Sequence, residues 1–130
     1  MKRLLFAKIA FIGLVAATVP LPAIAQFKQE AKLVGTDAIG FSEQGYSAAL
    51  SWDGNTALVG GRHDASGMLN ERGAAWVFER SRGKWTQQTK LVGMGDIGNS
   101  DQGLSVALSS SGNTAIVSGP FDNQNLAKNI

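Results

Sequence analysis

Residues 32–64 recur 58 positions later, at 90–122, without a gap, and 20 of the 33 aligned pairs are identical. Lys32-Leu33-Val34-Gly35 falls on Lys90-Leu91-Val92-Gly93, and Gln44-Gly45 falls on Gln102-Gly103. Gly54-Asn55-Thr56-Ala57 falls on Gly112-Asn113-Thr114-Ala115, and Asp64 falls on Asp122. A unit that recurs in this way buries its apolar face against a copy of itself, so the chain is expected to be a repeat array. The alignment extends back to Phe27 opposite Trp85. Repeat 1 is therefore placed at 27–84 and a partial repeat 2 at 85–130.

Inside each unit the apolar residues recur at the spacing of strands, with turn residues between them and no sustained helical period. Tyr46–Leu50 and Thr56–Gly60 read as a hairpin around Ser51-Trp52-Asp53-Gly54-Asn55, repeated as 104–108 and 114–118. A third strand spans Ala74–Glu79, with Ala74, Trp76 and Phe78 on one face; Trp76, Phe78 and Trp85 are expected as core between blades. Ser81-Arg82-Gly83-Lys84 turns the chain into a fourth strand from Trp85 to about Leu91. Strict alternation would put Trp85, Gln87, Thr89 and Leu91 on one face of it. Phe27–Leu33 reads as a lone strand of this fourth type. Four short antiparallel strands per unit is the make-up of a propeller blade.

The first 25 residues stand apart from this pattern. Lys2, Arg3 and Lys8 precede an apolar run, Pro20 and Pro22 end it, and Ala23-Ile24-Ala25 has the small residues of a signal-peptidase site. Residues 1–25 read as a secretory signal peptide cleaved before Gln26, with no membrane span left afterwards. This segment holds three of the twelve basic residues and none of the ten acidic ones, so nine basic face ten acidic side chains in residues 26–130. The formal net charge there is −1, without a basic block to follow a phosphate backbone, which argues against a nucleic-acid partner. The expected location is periplasmic, outer-surface or extracellular. With no cysteine in the chain, packing rather than disulfides has to hold it together.

At WTQQTKLVG, QGYSAALSWDGNTALVGG, GAAWVFERSRGKW and QGLSVALSSSGNTAIVSG the chain resembles the bacterial exported branch of the FG-GAP repeat proteins. Repeats of that family build β-propellers such as the integrin α-subunit head. The resemblance covers roughly residues 27–122. It implies an all-β fold of β-propeller-type repeats, with about one and a half to two four-stranded antiparallel blades, an incomplete propeller. Gln44 and Gln102 stand where the family name has phenylalanine, and Gly60-Gly61-Arg62 and Ser118-Gly119-Pro120 replace its Gly-Ala-Pro element. The strand inventory lacks a second copy of Gly73–Lys84, so the chain reads as a truncated member of the family. A self-assembled ring and a small open sheet are the alternatives.

The residues do not compose a catalytic centre, a cofactor site or a metal site. The calcium loop of integrin-type repeats is missing from both units, and Asp96-Ile97-Gly98-Asn99-Ser100-Asp101 spaces its oxygens poorly for a calcium ion. His63 lies beside Asp64, but neighbours in an extended segment face opposite ways, and Phe121 replaces it in the second unit. Asp64 and Asp122 are expected to cap turns through local hydrogen bonds. Ser47, Ser51, Ser105 and Ser109 have no base nearby in sequence and read as ladder or turn residues. Trp52, with Ser110 as its counterpart, is expected to pack on a neighbouring strand, with stacking on sugar or an interface as the alternative.

The leading functional expectation is a non-enzymatic exported scaffold. It would bind protein or glycan through its blade loops, and self-associate through open blade faces. A piece of a secreted propeller hydrolase or lyase and a calcium-stabilised adhesion module are the competing readings.

Overall fold

The computed structural model describes residues 27–64 and 72–122. The signal-peptide assignment, the 65–71 segment and the residues after Asp122 lie outside the described residues. The described residues form six strands and no helix. These are β1 (Ser47–Leu50), β2 (Thr56–Gly61), β3 (Ala74–Ser81), β4 (Lys84–Leu91), β5 (Val106–Leu108) and β6 (Ala115–Val117). The first four make one antiparallel sheet in the order β1-β2-β3-β4, and β5 and β6 make a second. The all-β class and the hairpin assignments agree with the sequence reading.

The two sheets are copies in register as well as in sequence. Ala48, Ala49 and Leu50 pair with Val59, Leu58 and Ala57. Val106, Ala107 and Leu108 pair with Val117, Ile116 and Ala115, each pair displaced by the repeat length. The connecting turns match too. Ser51 N–H donates to Thr56 O at 2.9 Å and Ser109 N–H to Thr114 O at 2.8 Å. The serine hydroxyl oxygens accept from Thr56 N–H at 2.9 Å and Thr114 N–H at 3.0 Å. Upstream, Glu43 and Asp101 share left-handed backbone, with φ of 50° and 52°. Both side chains are short of ideal there, where glycine is the easy choice, so the repeat encodes a backbone path as well as a hydrophobic pattern.

The core lies on one face of the larger sheet. Ala57, Val59, Ala74, Trp76 and Phe78 pack together, with Leu33, Ala38 and Trp85 against them. Pairing of Val59 with Trp76 and of Ala57 with Phe78 puts these side chains on one face, as alternation predicts. The expectation that the aromatics sit between two sheets is corrected. They lie under the crossing segment 33–44, where a Cβ on Gly35 would run into the Trp76 ring. Leu58 and Ala75, both fully buried, belong to the opposite face, and β5 contacts β1 and β2.

Two local features depart from the sequence reading. A bulge interrupts the β3–β4 ladder: Val77 pairs with Thr89 but Phe78 with Gln87, which leaves Gln88 unpaired. The extra residue inverts the alternation, so Lys90 joins Trp85 and Gln87 on the core face while Thr89 and Leu91 turn to the other. Phe27–Leu33 is not a strand. Its counterpart β4 is held by a single neighbour, β3, and no described residue offers Phe27–Leu33 such an edge. Without a ladder its backbone has no reason to stay in strand geometry.

The junction between the units is tight. Gly103 has φ of 86°, and a Cβ there would meet the Ala74 carbonyl, while Ser47 Oγ donates to Gly103 O at 2.8 Å. Gly103→Ala is expected to destabilise the chain by about 1–3 kcal/mol from backbone strain alone, with the clash added. Gly83→Ala is the reference: it also sits at positive φ, but in open space, and should cost less. Urea unfolding of the two variants measures the difference.

Candidate functional site

The polar side chains common to the two units form the scaffolding of each. Gln44 clasps the backbone of Gly35, accepting its N–H at 2.6 Å and donating to its carbonyl at 3.1 Å. Gln102 does the same for Gly93, at 2.5 and 3.4 Å. The amide thus imitates one more residue of a ladder. Gln44→Leu would leave a partly buried N–H and carbonyl unpaired, and a loss of about 1–3 kcal/mol in urea titration is expected.

Asp64 and Asp122 act at longer range than local turn capping. Their Oδ1 atoms accept the N–H of Ile39 and Ile97, each at 2.8 Å and 25 residues away in sequence. Asp64 is fully buried, and its Oδ2 lies 2.5 Å from Lys90 Nζ, which also donates to Asp37 O at 3.0 Å. The bulge is what brings Lys90 to this face. Asp37 Oδ1 accepts both Trp76 Nε1–H and Gln87 Nε2–H at 2.8 Å. Sequence reasoning missed this network because Asp37 has Gly95 as its counterpart, and Gln87, opposite Gln29, carries no mark of a contact 50 residues away.

Two aromatic residues that differ between the units reach solvent. Trp52 is 91% exposed and Phe41 94%, so the expected packing of Trp52 on a strand is not observed. The Trp52 N–H is instead tied to Ser110 O at 3.0 Å, which holds the turn against its counterpart and turns the ring outward. At the other end of β1 and β2, Arg62 lies over the Tyr46 ring at 4.2 Å and pairs with Glu43 at 2.8 Å. His63 Nδ1 is 3.2 Å from Glu43 Oε1, while its sequence neighbour Asp64 is committed to Ile39 and Lys90. Ser47 and Ser51 donate to Gly103 O and Asp53 Oδ1, which is the structural role expected of them. Asp96 meets Ser100 Oγ and Arg72, and no three acidic or histidine side chains converge as a metal site among the described residues.

Three carboxylates titrate low. The Gln87 amide lowers Asp37, the Arg62 guanidinium lowers Glu43, and the Ser51 hydroxyl lowers Asp53. A depressed acid adds stability above its unfolded value, near 4, and that stability is lost as pH falls through the folded value. The melting temperature is therefore expected to hold from about pH 7 to 5 and to fall below about pH 4, with a shallower fall in Asp37→Asn.

Clefts open to solvent lie among the described residues. One of about 430 Å³ runs between residues 30–36 and β4, with Trp85 and Gln87 on its wall. Another, of about 230 Å³, lies in the second unit between the 91–102 segment and β6. No helix of the described residues is long and apolar enough to cross a membrane. Comparison with protein-family models, curated proteins and solved structures gives no match. The fold and its polar scaffolding define an all-β chain built of two like units.

Proposed function

We propose that the chain is an exported, non-enzymatic repeat protein of the FG-GAP type, whose units are blades of a β-propeller and whose loops form a binding surface. One observation carries this reading: polar residues shared by the units hold backbone together in both, whereas the two most exposed aromatics of the first hairpin region, Phe41 and Trp52, are not shared. Gln44 and Gln102, Asp64 and Asp122, and Ser51 and Ser109 make the same bonds in both copies. Trp52 and Phe41, by contrast, are exposed and are replaced by Ser110 and Asn99. A scaffold with variable loops divides its residues in this way. A four-stranded antiparallel sheet in the order β1-β2-β3-β4 is compatible with a propeller blade, and the leader-like pattern of residues 1–25 supports export.

Exposed aromatic rings beside polar turn residues suit sugar or protein ligands. Glycan and extracellular-protein arrays test the proposal, with Trp52→Ser and Phe41→Asn as comparisons. A ligand lost on one of these changes at unaltered melting temperature supports it. Ligand binding insensitive to both, or turnover of a glycan by the chain, overturns it.

A further inference from the structure

The 230 Å³ cleft of the second unit occupies the place that Trp76 fills in the first. Its walls include Leu91, Gly93, Asp96, Val117, Gly119 and Asp122. Their repeat counterparts are Leu33, Gly35, Ala38, Val59, Gly61 and Asp64. Those counterparts surround Trp76. Leu33, Ala38 and Val59 pack in its cluster, and a Cβ on Gly35 or Gly61 would strike its ring. A cavity of about 150 Å³ is enough to admit benzene, so this one is large enough for an aromatic side chain.

Two further observations point to an occupant rather than a void. Asp96 Oδ1 is buried without a hydrogen-bond partner, and its side chain is 4% exposed. In the first unit a carboxylate from the same loop, Asp37, accepts the Trp76 indole N–H at 2.8 Å. Among the described residues β6 also has no neighbour on the edge that its counterpart β2 gives to β3. A cleft fitted for an indole, a spare acceptor for its N–H and an open strand edge lie side by side.

We infer that the second unit is a receptor for a strand of the third type, an extended segment reading Gly-Ala-Ala-Trp-Val-Phe, carried by a further unit of this repeat. The strand pairs antiparallel with β6, places its tryptophan in the cleft and gives the indole N–H to Asp96. A folded second copy of this chain is a poor donor, because its Gly73–Ser81 strand is already held between β2 and β4. The inference rests on the duplicated structure, and not on export or on a loop ligand, so it can fail while the proposed function stands.

The test is titration of the full chain with a fluorescein-labelled peptide of the sequence of residues 73–81, followed by anisotropy and by amide hydrogen exchange. Saturable one-to-one binding is expected, with new protection at Ala115–Val117. Trp76→Ala in the peptide should weaken binding at least tenfold. Val117→Asp in the chain should do the same while Trp76 fluorescence in the first unit stays unchanged. Absence of saturable binding, equal binding of the alanine peptide, or protection confined to residues outside β6 would each overturn the inference.

Discussion

Trp76→Ala is expected to destabilise the chain by about 3–5 kcal/mol, the usual cost of truncating a buried tryptophan. Domains of this size hold about 5–15 kcal/mol in total, so the variant should lose a large share of its stability. Trp76 is fully buried and is the largest side chain in a cluster of five buried residues, with few neighbours to refill the space. Burying it removes roughly 150–250 Å² from water, worth on the order of 4–6 kcal/mol as an upper bound. The indole N–H adds a bond to Asp37, which in turn fixes Gln87. Trp76→Phe keeps most of the apolar area, loses that bond, and should cost less than the alanine change. Urea unfolding of the two variants measures both effects, and a loss below about 1 kcal/mol for Trp76→Ala would remove this residue from the centre of the core.

The second large effect belongs to the buried pair of Asp64 and Lys90. Lys90→Met leaves a fully buried carboxylate without its counter-charge, and a cost of about 3–5 kcal/mol is expected. Adding Asp64→Asn removes the stranded charge while an oxygen remains for the Ile39 N–H. The double variant should therefore be more stable than Lys90→Met alone. A double-mutant cycle followed by thermal unfolding checks this, and the two sites should show coupling of about 0.5–3 kcal/mol. Additive losses would mean that the ammonium and the carboxylate do not depend on each other. The pair also links the segment after β2 to β4, so the fourth strand should loosen when the pair is broken.

The hairpins were legible in the sequence because Ser51, Gly54 and Thr56 recur with their spacing intact, and the turn they make is local. The Trp76 face was legible for a similar reason: alternation in β3 is unbroken. The face of β4 was not, since one unpaired residue, Gln88, reverses every side chain after it, and a bulge leaves no mark in a period-two pattern. Asp64 was read as a turn cap because its partner, the Ile39 N–H, is remote in sequence and carries no side-chain signature. Gln44 was visible only as a departure from the resembled family, yet it makes one of the contacts the units share. Pairwise comparison of the copies finds such residues. It fails at Asp37, whose counterpart is Gly95.

The account's central claim is that the sequence repeat is also a structural repeat, with one register in both hairpins. Cross-strand amide and Hα contacts measured by NMR on the isotopically labelled chain test it directly. Contacts joining Ala48 to Val59 and Ala49 to Leu58 should be matched by contacts joining Val106 to Val117 and Ala107 to Ile116. A first set without the second, or a second set shifted by one residue, would contradict the claim.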